Sequence, residues 1–135
     1  MKKSLNFKFL ALTFLFFTLL SYGCLNNKAY ENKAHVVFKW QLHTENTTST
    51  GWIKAHGWVI NKGSKRADWV TVTIYSIDPE TNIVVDKKMI DVQGTGPNKR
   101  SVEPGAAARF DARLNSKRKH HYKYRREVTW VEAAQ

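Results

Sequence analysis

The chain has 135 residues, with 22 lysines and arginines against 11 aspartates and glutamates, and a formal net charge of +11. This length allows one small domain after a leader, and the single cysteine excludes an intramolecular disulfide framework. The basic excess favours anionic partners: nucleic acid inside a cell, or lipid headgroups and acidic glycans outside it.

The N-terminal residues have the order of a secretory signal peptide. Three lysines lie within the first eight residues, and the 12 residues from Phe9 to Leu20 carry no charge. Small residues follow at Ser21 and Gly23, which completes the positive, apolar and small order. Twelve helical residues span roughly 18 Å, less than the ~30 Å hydrocarbon core of a bilayer. The alternatives are an uncleaved membrane anchor and an ordinary secreted protein that is cut nearby.

Cys24 makes the signal more specific. The run Leu20-Ser21-Tyr22-Gly23-Cys24 resembles the lipobox of bacterial lipoproteins, in which small or apolar residues precede a cysteine. The resemblance implies that residues 1–23 are removed and that the Cys24 sulfur receives a diacylglyceryl group. Buried acyl chains contribute about 0.8 kcal/mol per methylene, so they would hold the protein at a membrane of the bacterial envelope, outside the cytoplasm.

Cleavage before Cys24 would leave 112 residues, with 19 basic and 11 acidic side chains and a net charge of +8. Residues 24–34 are polar and without apolar periodicity, so they predict a tether. Residues 35–131 predict the folded domain.

Alternating apolar residues predict six or seven short strands in this domain, without a helix. The first strand begins at His35, with apolar side chains at 36, 38, 40 and 42 on one face. Gly57 within a predicted strand indicates the close approach of a large ring, from Trp40 or another core residue on a facing sheet. Turns every 8–15 residues favour a single antiparallel β-sandwich. The other predicted strands are 52–61, 69–77, 83–92 with a bulge near Lys87, 109–114 and 121–131.

Three stretches of this domain suggest a family. Gly57-Trp58-Val59-Ile60-Asn61, Val72-Thr73-Ile74-Tyr75, and Pro104-Gly105 followed by Phe110 resemble the FxLYD-type immunoglobulin-like domains of bacterial envelope lipoproteins. The similarity covers roughly residues 53–114. It implies an immunoglobulin-like antiparallel β-sandwich and an envelope location, without a shared catalytic activity.

Catalytic and metal-binding motifs are absent from the sequence. It contains no Gly-x-Ser-x-Gly, His-Glu-x-x-His or phosphate-binding loop, so we expect no enzyme and no cofactor. Adjacent His120 and His121 would point to opposite faces of a strand. His43 and His56 lie on neighbouring predicted strands and could meet, but exposed strand positions are the favoured interpretation, and no metal site is predicted.

Two clusters are candidate binding surfaces. The basic patch has aromatic residues among its cations and comprises Lys117, Arg118, Lys119, Lys123, Arg125 and Arg126. In an exported protein it favours anionic lipid or glycan over nucleic acid. The alternative is a solvated edge strand whose charges prevent edge-to-edge pairing. The aromatic patch, Trp52, Trp58 and Trp69, would suit a protein or glycan partner if these indoles are exposed.

The sequence therefore favours a membrane-anchored envelope lipoprotein that carries a noncatalytic binding or assembly module. The partners expected are the membrane, through lipidated Cys24, and an anionic lipid, a glycan or an envelope protein. The alternative function is an ordinary secreted or signal-anchored basic β-domain that binds nucleic acid or another polyanion.

Overall fold

The computed structural model describes residues 31–47, 51–96, 98–115 and 122–134. These residues form seven strands and no helix. The chain divides into two units, Met1–Glu31 and Asn32–Gln135, and every strand belongs to the second. The strands are β1 (Val36–Phe38), β2 (His43–Thr47), β3 (Trp52–Asn61), β4 (Ala67–Ile77), β5 (Val84–Asp91), β6 (Ala107–Asn115) and β7 (Lys123–Glu132).

The strands form two antiparallel sheets. In the first sheet, β3 is central, with β6 on one side and with β1 and β2 in succession on the other. The second sheet has the order β5-β4-β7. The prediction of an all-β antiparallel sandwich of six to seven strands is confirmed.

Side-chain alternation on the strands builds the core between the two sheets, because successive residues of a strand point to opposite faces. The buried apolar side chains of β3, β4 and β6 include Ile53, Val59, Val70, Val72, Ile74, Phe110 and Leu114. Partly buried side chains of β7, such as Val128 and Trp130, pack against this core. The apolar alternation that predicts these strands therefore corresponds to one face packed against the core.

Gly57 marks the tightest approach in the first sheet. It pairs with Phe110 across the β3–β6 ladder, and a Cβ added to Gly57 would lie 2.5 Å from Cζ of the Phe110 ring. Only glycine leaves room for this ring, which also meets Phe38 edge-on at 6.1 Å between centroids. A close ring is present as predicted, but its predicted position on a facing sheet is wrong, because the ring comes from a neighbouring strand of the same sheet and not from Trp40.

The single strand predicted from His35 is wrong, because the chain forms two short strands instead. Both β1 and β2 pair with β3, but the residues between them do not continue the pairing. In this break, the Lys39 amide donates a hydrogen bond to the Trp58 carbonyl at 2.9 Å. The break turns Trp40 outward, so that it is 58% exposed rather than buried. The returning strand β5 has its irregularity at Val85, two residues before the predicted bulge.

A buried amide closes one end of the sandwich. Asn61, the last residue of β3, is fully buried, and its side-chain oxygen accepts hydrogen bonds from the amides of His35 at 3.0 Å and Gly63 at 2.9 Å. Its side-chain nitrogen donates to the carbonyls of Lys65 at 2.7 Å and Val102 at 3.0 Å. One side chain therefore joins the start of β1, the β3–β4 turn and the segment before β6.

A second polar contact holds the same segment. The buried Asp68 accepts a 2.6 Å hydrogen bond from the Ser101 hydroxyl and two hydrogen bonds from the Arg66 guanidinium, at 2.8 and 3.1 Å. The hydrogen bonds from Arg66, and then the one from Ser101, lower the pKa of Asp68 below its ordinary value. Because this pKa is lowered, the stabilisation is present above the ordinary value and is lost as the pH falls through the folded-state pKa.

We expect Asn61→Ala to destabilise the domain by at least about 3 kcal/mol, because it removes four hydrogen bonds from a fully buried amide, and buried polar groups left unsatisfied cost about 1–3 kcal/mol each. Urea unfolding followed by tryptophan fluorescence measures the change. The exposed turn residue Asn98 provides the control, and Asn98→Ala should stay within about 0.5 kcal/mol of the native protein. Equal stabilities of the two variants would contradict the role given to the Asn61 amide.

Candidate binding face

The outer face of the first sheet carries most of the chemically distinctive side chains. Strand β3 is paired on both sides, so each outward residue has a neighbour on the flanking strands. The outward residues of β3 are Trp52, Lys54, His56, Trp58 and Ile60. Because their positions follow from backbone register, this face presents a fixed array of charged, imidazole and indole groups.

Two histidines meet at the centre of this face. His43 on β2 is the cross-strand partner of His56 on β3, and their ring centroids are 4.6 Å apart. Glu45, two residues beyond His43, lies on the same side of β2, and its Oε1 is 3.3 Å from His43 Nε2. One nitrogen from each imidazole and one oxygen from Glu45 all lie within 4.8 Å of one another. These three side chains, which we call the His43–Glu45–His56 cluster, are the group on the described part of the chain that could hold a metal ion.

A groove lies beside the cluster. It has a volume of about 430 Å³, and its polar lining residues are Glu45, Lys54, His56, Arg109, Asp111 and Arg113. Arg109 and Asp111 form an exposed pair with a 2.7 Å contact between Nη2 and Oδ1, and the hydrogen bond to Asp111 raises the pKa of Arg109. The groove therefore presents both charge signs at fixed positions on an open surface.

A tryptophan pair, with Trp40 exposed and Trp58 half-buried, lies next to this groove. Trp58 is the cross-strand partner of Arg109, and its ring meets Trp40 edge-on, with centroids 6.4 Å apart. The Lys39 ammonium lies 4.4 Å from the Trp40 ring centroid. Such a pair offers a rigid apolar surface with polar edges, which suits contacts with sugars and proteins.

The three tryptophans predicted as one aromatic patch lie in separate places. Trp52 and Trp58 share the outer face of the first sheet, but they are six residues apart on β3, which corresponds to roughly 20 Å. Trp69 is on β4 of the second sheet, and it is 53% exposed. The Cζ atom of Arg100 lies 5.3 Å from the centroid of the Trp69 ring. The aromatic residue beside Trp58 is Trp40.

The described part of the predicted basic patch divides between two faces of β7. Lys123 and Arg125 point outward, and the Arg125 guanidinium lies 4.4 Å from the Tyr75 ring centroid. Arg126 points inward, 4.3 Å above the Phe38 ring, and its Nη1 donates to the Trp40 carbonyl at 2.9 Å. Burial lowers the pKa of the Arg126 guanidinium. Lys117, Arg118 and Lys119 lie outside the described residues.

The lipidation site Cys24 also lies outside the described residues. Within the ranges that the structure describes, the chain contains no helix with the length and apolar character needed to cross a membrane.

Several residues of the binding face were not predicted. The apolar alternation of the first predicted strand ends at residue 42 and so does not point to Glu45, although β2 continues to Thr47. Arg109 and Asp111 lie on the outward side of a correctly predicted strand, and their alternation with buried Phe110 was the signal that could have identified them. The meeting of His43 and His56 was considered from strand adjacency, and the register brings the two together.

Comparison with known proteins gives no identification: no family model, no curated protein and no solved structure matches this chain. The fold defines the protein as an antiparallel β-sandwich, and its function must be inferred from the residues of this chain.

The opposite orientations of Arg125 and Arg126 predict different effects of truncation. Arg126→Ala removes a cation–π contact and a hydrogen bond and uncovers Phe38, so we expect a loss of about 1–2 kcal/mol in unfolding free energy. Arg125→Ala should cost less, because the side chain is exposed. Urea unfolding of both variants checks this order, and a larger loss for Arg125→Ala would refute it.

Proposed function

We propose that this protein is a bacterial envelope lipoprotein, anchored by acylated Cys24, whose β-sandwich is a noncatalytic binding or assembly module of the FxLYD type. The attachment rests on the lipobox-like run Leu20–Cys24 and the short apolar leader before it. The module rests on the sandwich and on the outer face of its first sheet.

The observation that carries the binding role is the open, mixed-charge groove of about 430 Å³ next to the Trp40–Trp58 pair. Aromatic side chains and arginine are the residue types enriched at the energetic centres of binding surfaces. Catalysis usually depends on preorganised groups in a site from which water is excluded. An open groove on a flat sheet face is better suited to binding a partner.

Substitution of Cys24 tests the attachment. In the full chain expressed in a bacterium, Cys24→Ala should abolish incorporation of a labelled fatty acid and reduce the membrane-bound fraction. The matched control is Ser21→Ala, which keeps a small residue at that position and should leave labelling intact. Labelling is measured on immunoprecipitated protein and attachment by fractionation.

Retention of Cys24→Ala in the membrane, without fatty-acid labelling of the native chain, would instead support a signal anchor. Release of the native chain in unlabelled form would support ordinary secretion. Either result would refute the lipoprotein proposal, and neither depends on the groove.

Two basic residues of the groove support the proposal that the partner is anionic. Lys54 and Arg113 are direct cross-strand partners on the exposed face. Glu45 is the partner of Lys54 on the other side of β3, so one acidic side chain faces these two cations. Like charges in a cross-strand pair are destabilising, and a second negative charge from a partner would further relieve their repulsion. On the second sheet, by contrast, Arg125 lies over Tyr75 and contacts Glu127 at 3.5 Å. We therefore assign the anionic contact to the groove.

A pair of double variants with the same change in net charge tests this assignment. Lys54→Glu with Arg113→Glu should weaken salt-dependent binding to vesicles that contain phosphatidylglycerol at least tenfold. Lys123→Glu with Arg125→Glu should weaken it less. Sedimentation of the vesicles with the purified protein measures binding, and duplex DNA is the competing ligand. Preferential binding to DNA, or a larger loss from the β7 variant, would contradict the assignment.

A further inference from the structure

The His43–Glu45–His56 cluster has the geometry of a partly assembled metal site. Direct cross-strand partners have Cβ atoms about 4.5–5.5 Å apart, which places two imidazoles side by side without any loop to position them. Glu45 follows His43 by two residues and therefore points to the same face. The register of β2 against β3 thus brings two nitrogen ligands and one oxygen ligand together.

The distances fit coordination. Zinc bonds to histidine nitrogen and carboxylate oxygen are about 2.0–2.2 Å, so neighbouring ligand atoms of a tetrahedral site lie roughly 3.3–3.5 Å apart. His43 Nε2 and Glu45 Oε1 are already 3.3 Å apart. The His56 nitrogen lies within 4.8 Å of both, a gap that rotation of a side chain can reduce. His43 and Glu45 are exposed and His56 is partly exposed, so such rotation meets little resistance from packing.

We propose that the His43–Glu45–His56 cluster binds a divalent transition-metal ion of the zinc or copper class. Two imidazoles and one carboxylate suit these ions, whereas magnesium and calcium prefer sites made of oxygen ligands. Three protein ligands leave at least one coordination position for water or for a donor from a partner. The inference goes beyond the proposed envelope role and does not require lipidation of Cys24.

The charged side chains around the cluster indicate which metal ions it should prefer. Lys54 is the cross-strand partner of Glu45, and the neighbouring Asp111 is engaged by Arg109. The local field therefore does not attract cations in general, so affinity must come from bonds to the imidazole nitrogens. Binding should thus be strong for ions that favour nitrogen and negligible for magnesium. The cationic side chains also favour an anionic donor at the open position.

A contact between a protonated His43 and Glu45 would give the same short distance without a metal, and titration separates the two cases. Isothermal titration of the full-length protein, purified in detergent, with Zn²⁺ should show one site per chain. His43→Gln and His56→Gln should each lower the affinity at least about tenfold, and Glu45→Gln should also lower it. Titration with Mg²⁺ should give no binding. Substitution with Co²⁺ should give the visible absorption of a tetrahedral site, lost in the same variants.

The matched control is the double variant His120→Gln with His121→Gln, which removes two histidines outside the cluster and should leave the affinity unchanged. Circular dichroism and the urea midpoint should be unchanged in the three cluster variants, because His43, Glu45 and His56 lie on the outer face of the first sheet. Both quantities are measured for the control as well. Absence of Zn²⁺ binding by the native protein would overturn the proposal. So would an affinity that survives His43→Gln and His56→Gln or that is lost in the control.

Discussion

The Asn61 amide is the contact on which the order of the sandwich most depends. It is fully buried at the end of β3, and its four hydrogen bonds reach backbone groups on either side of the fold. A buried polar group is costly unless it is satisfied, and here the four hydrogen bonds of the amide hold three different segments of the chain. Asp68 repeats this arrangement with Ser101. Together, Asn61 and Asp68 hold residues 101 and 102, which lie on the connection from β5 to β6. Polar contacts as well as core packing therefore help to set the register of β6 against β3.

Most of the fold could be predicted because its signals are local. The strands with strict alternation, such as β3 and β6, have one face against the core, and a period of two is sufficient to identify them. The break between β1 and β2 could not be predicted, since the apolar period continues through Trp40. Trp40 satisfies that period but lies outside, where it packs on Trp58. Whether an indole belongs to the core or to a pair on the outer face depends on partners distant in sequence.

The candidate site could be predicted only in part, for the same reason. His43 and His56 could be placed on neighbouring strands, but their distance depends on a register that one residue of slippage would destroy. Glu45 joins them only because β2 extends further than its polar composition indicates. In the basic patch, by contrast, neighbours in sequence are separated in the structure. Arg125 and Arg126 lie on opposite faces of β7, where Arg125 stacks on Tyr75 and Arg126 stacks on Phe38.

The two outer faces differ in how their charges are compensated. On the second sheet, Tyr75 lies between Arg125 and Lys87, and its hydroxyl donates to Glu127 at 2.8 Å, so the cations there have internal partners. On the first sheet, Lys54 and Arg113 face each other directly, and Glu45, on the other side of Lys54, is one acidic neighbour for these two cations. A like-charged cross-strand pair lowers the stability of the sheet, and such unfavourable local features are common at functional sites. Lys54 lies on β3, which is paired on both sides and therefore holds this residue more rigidly than the edge strand β7 holds Arg125, and this favours the first sheet as the surface that meets a partner.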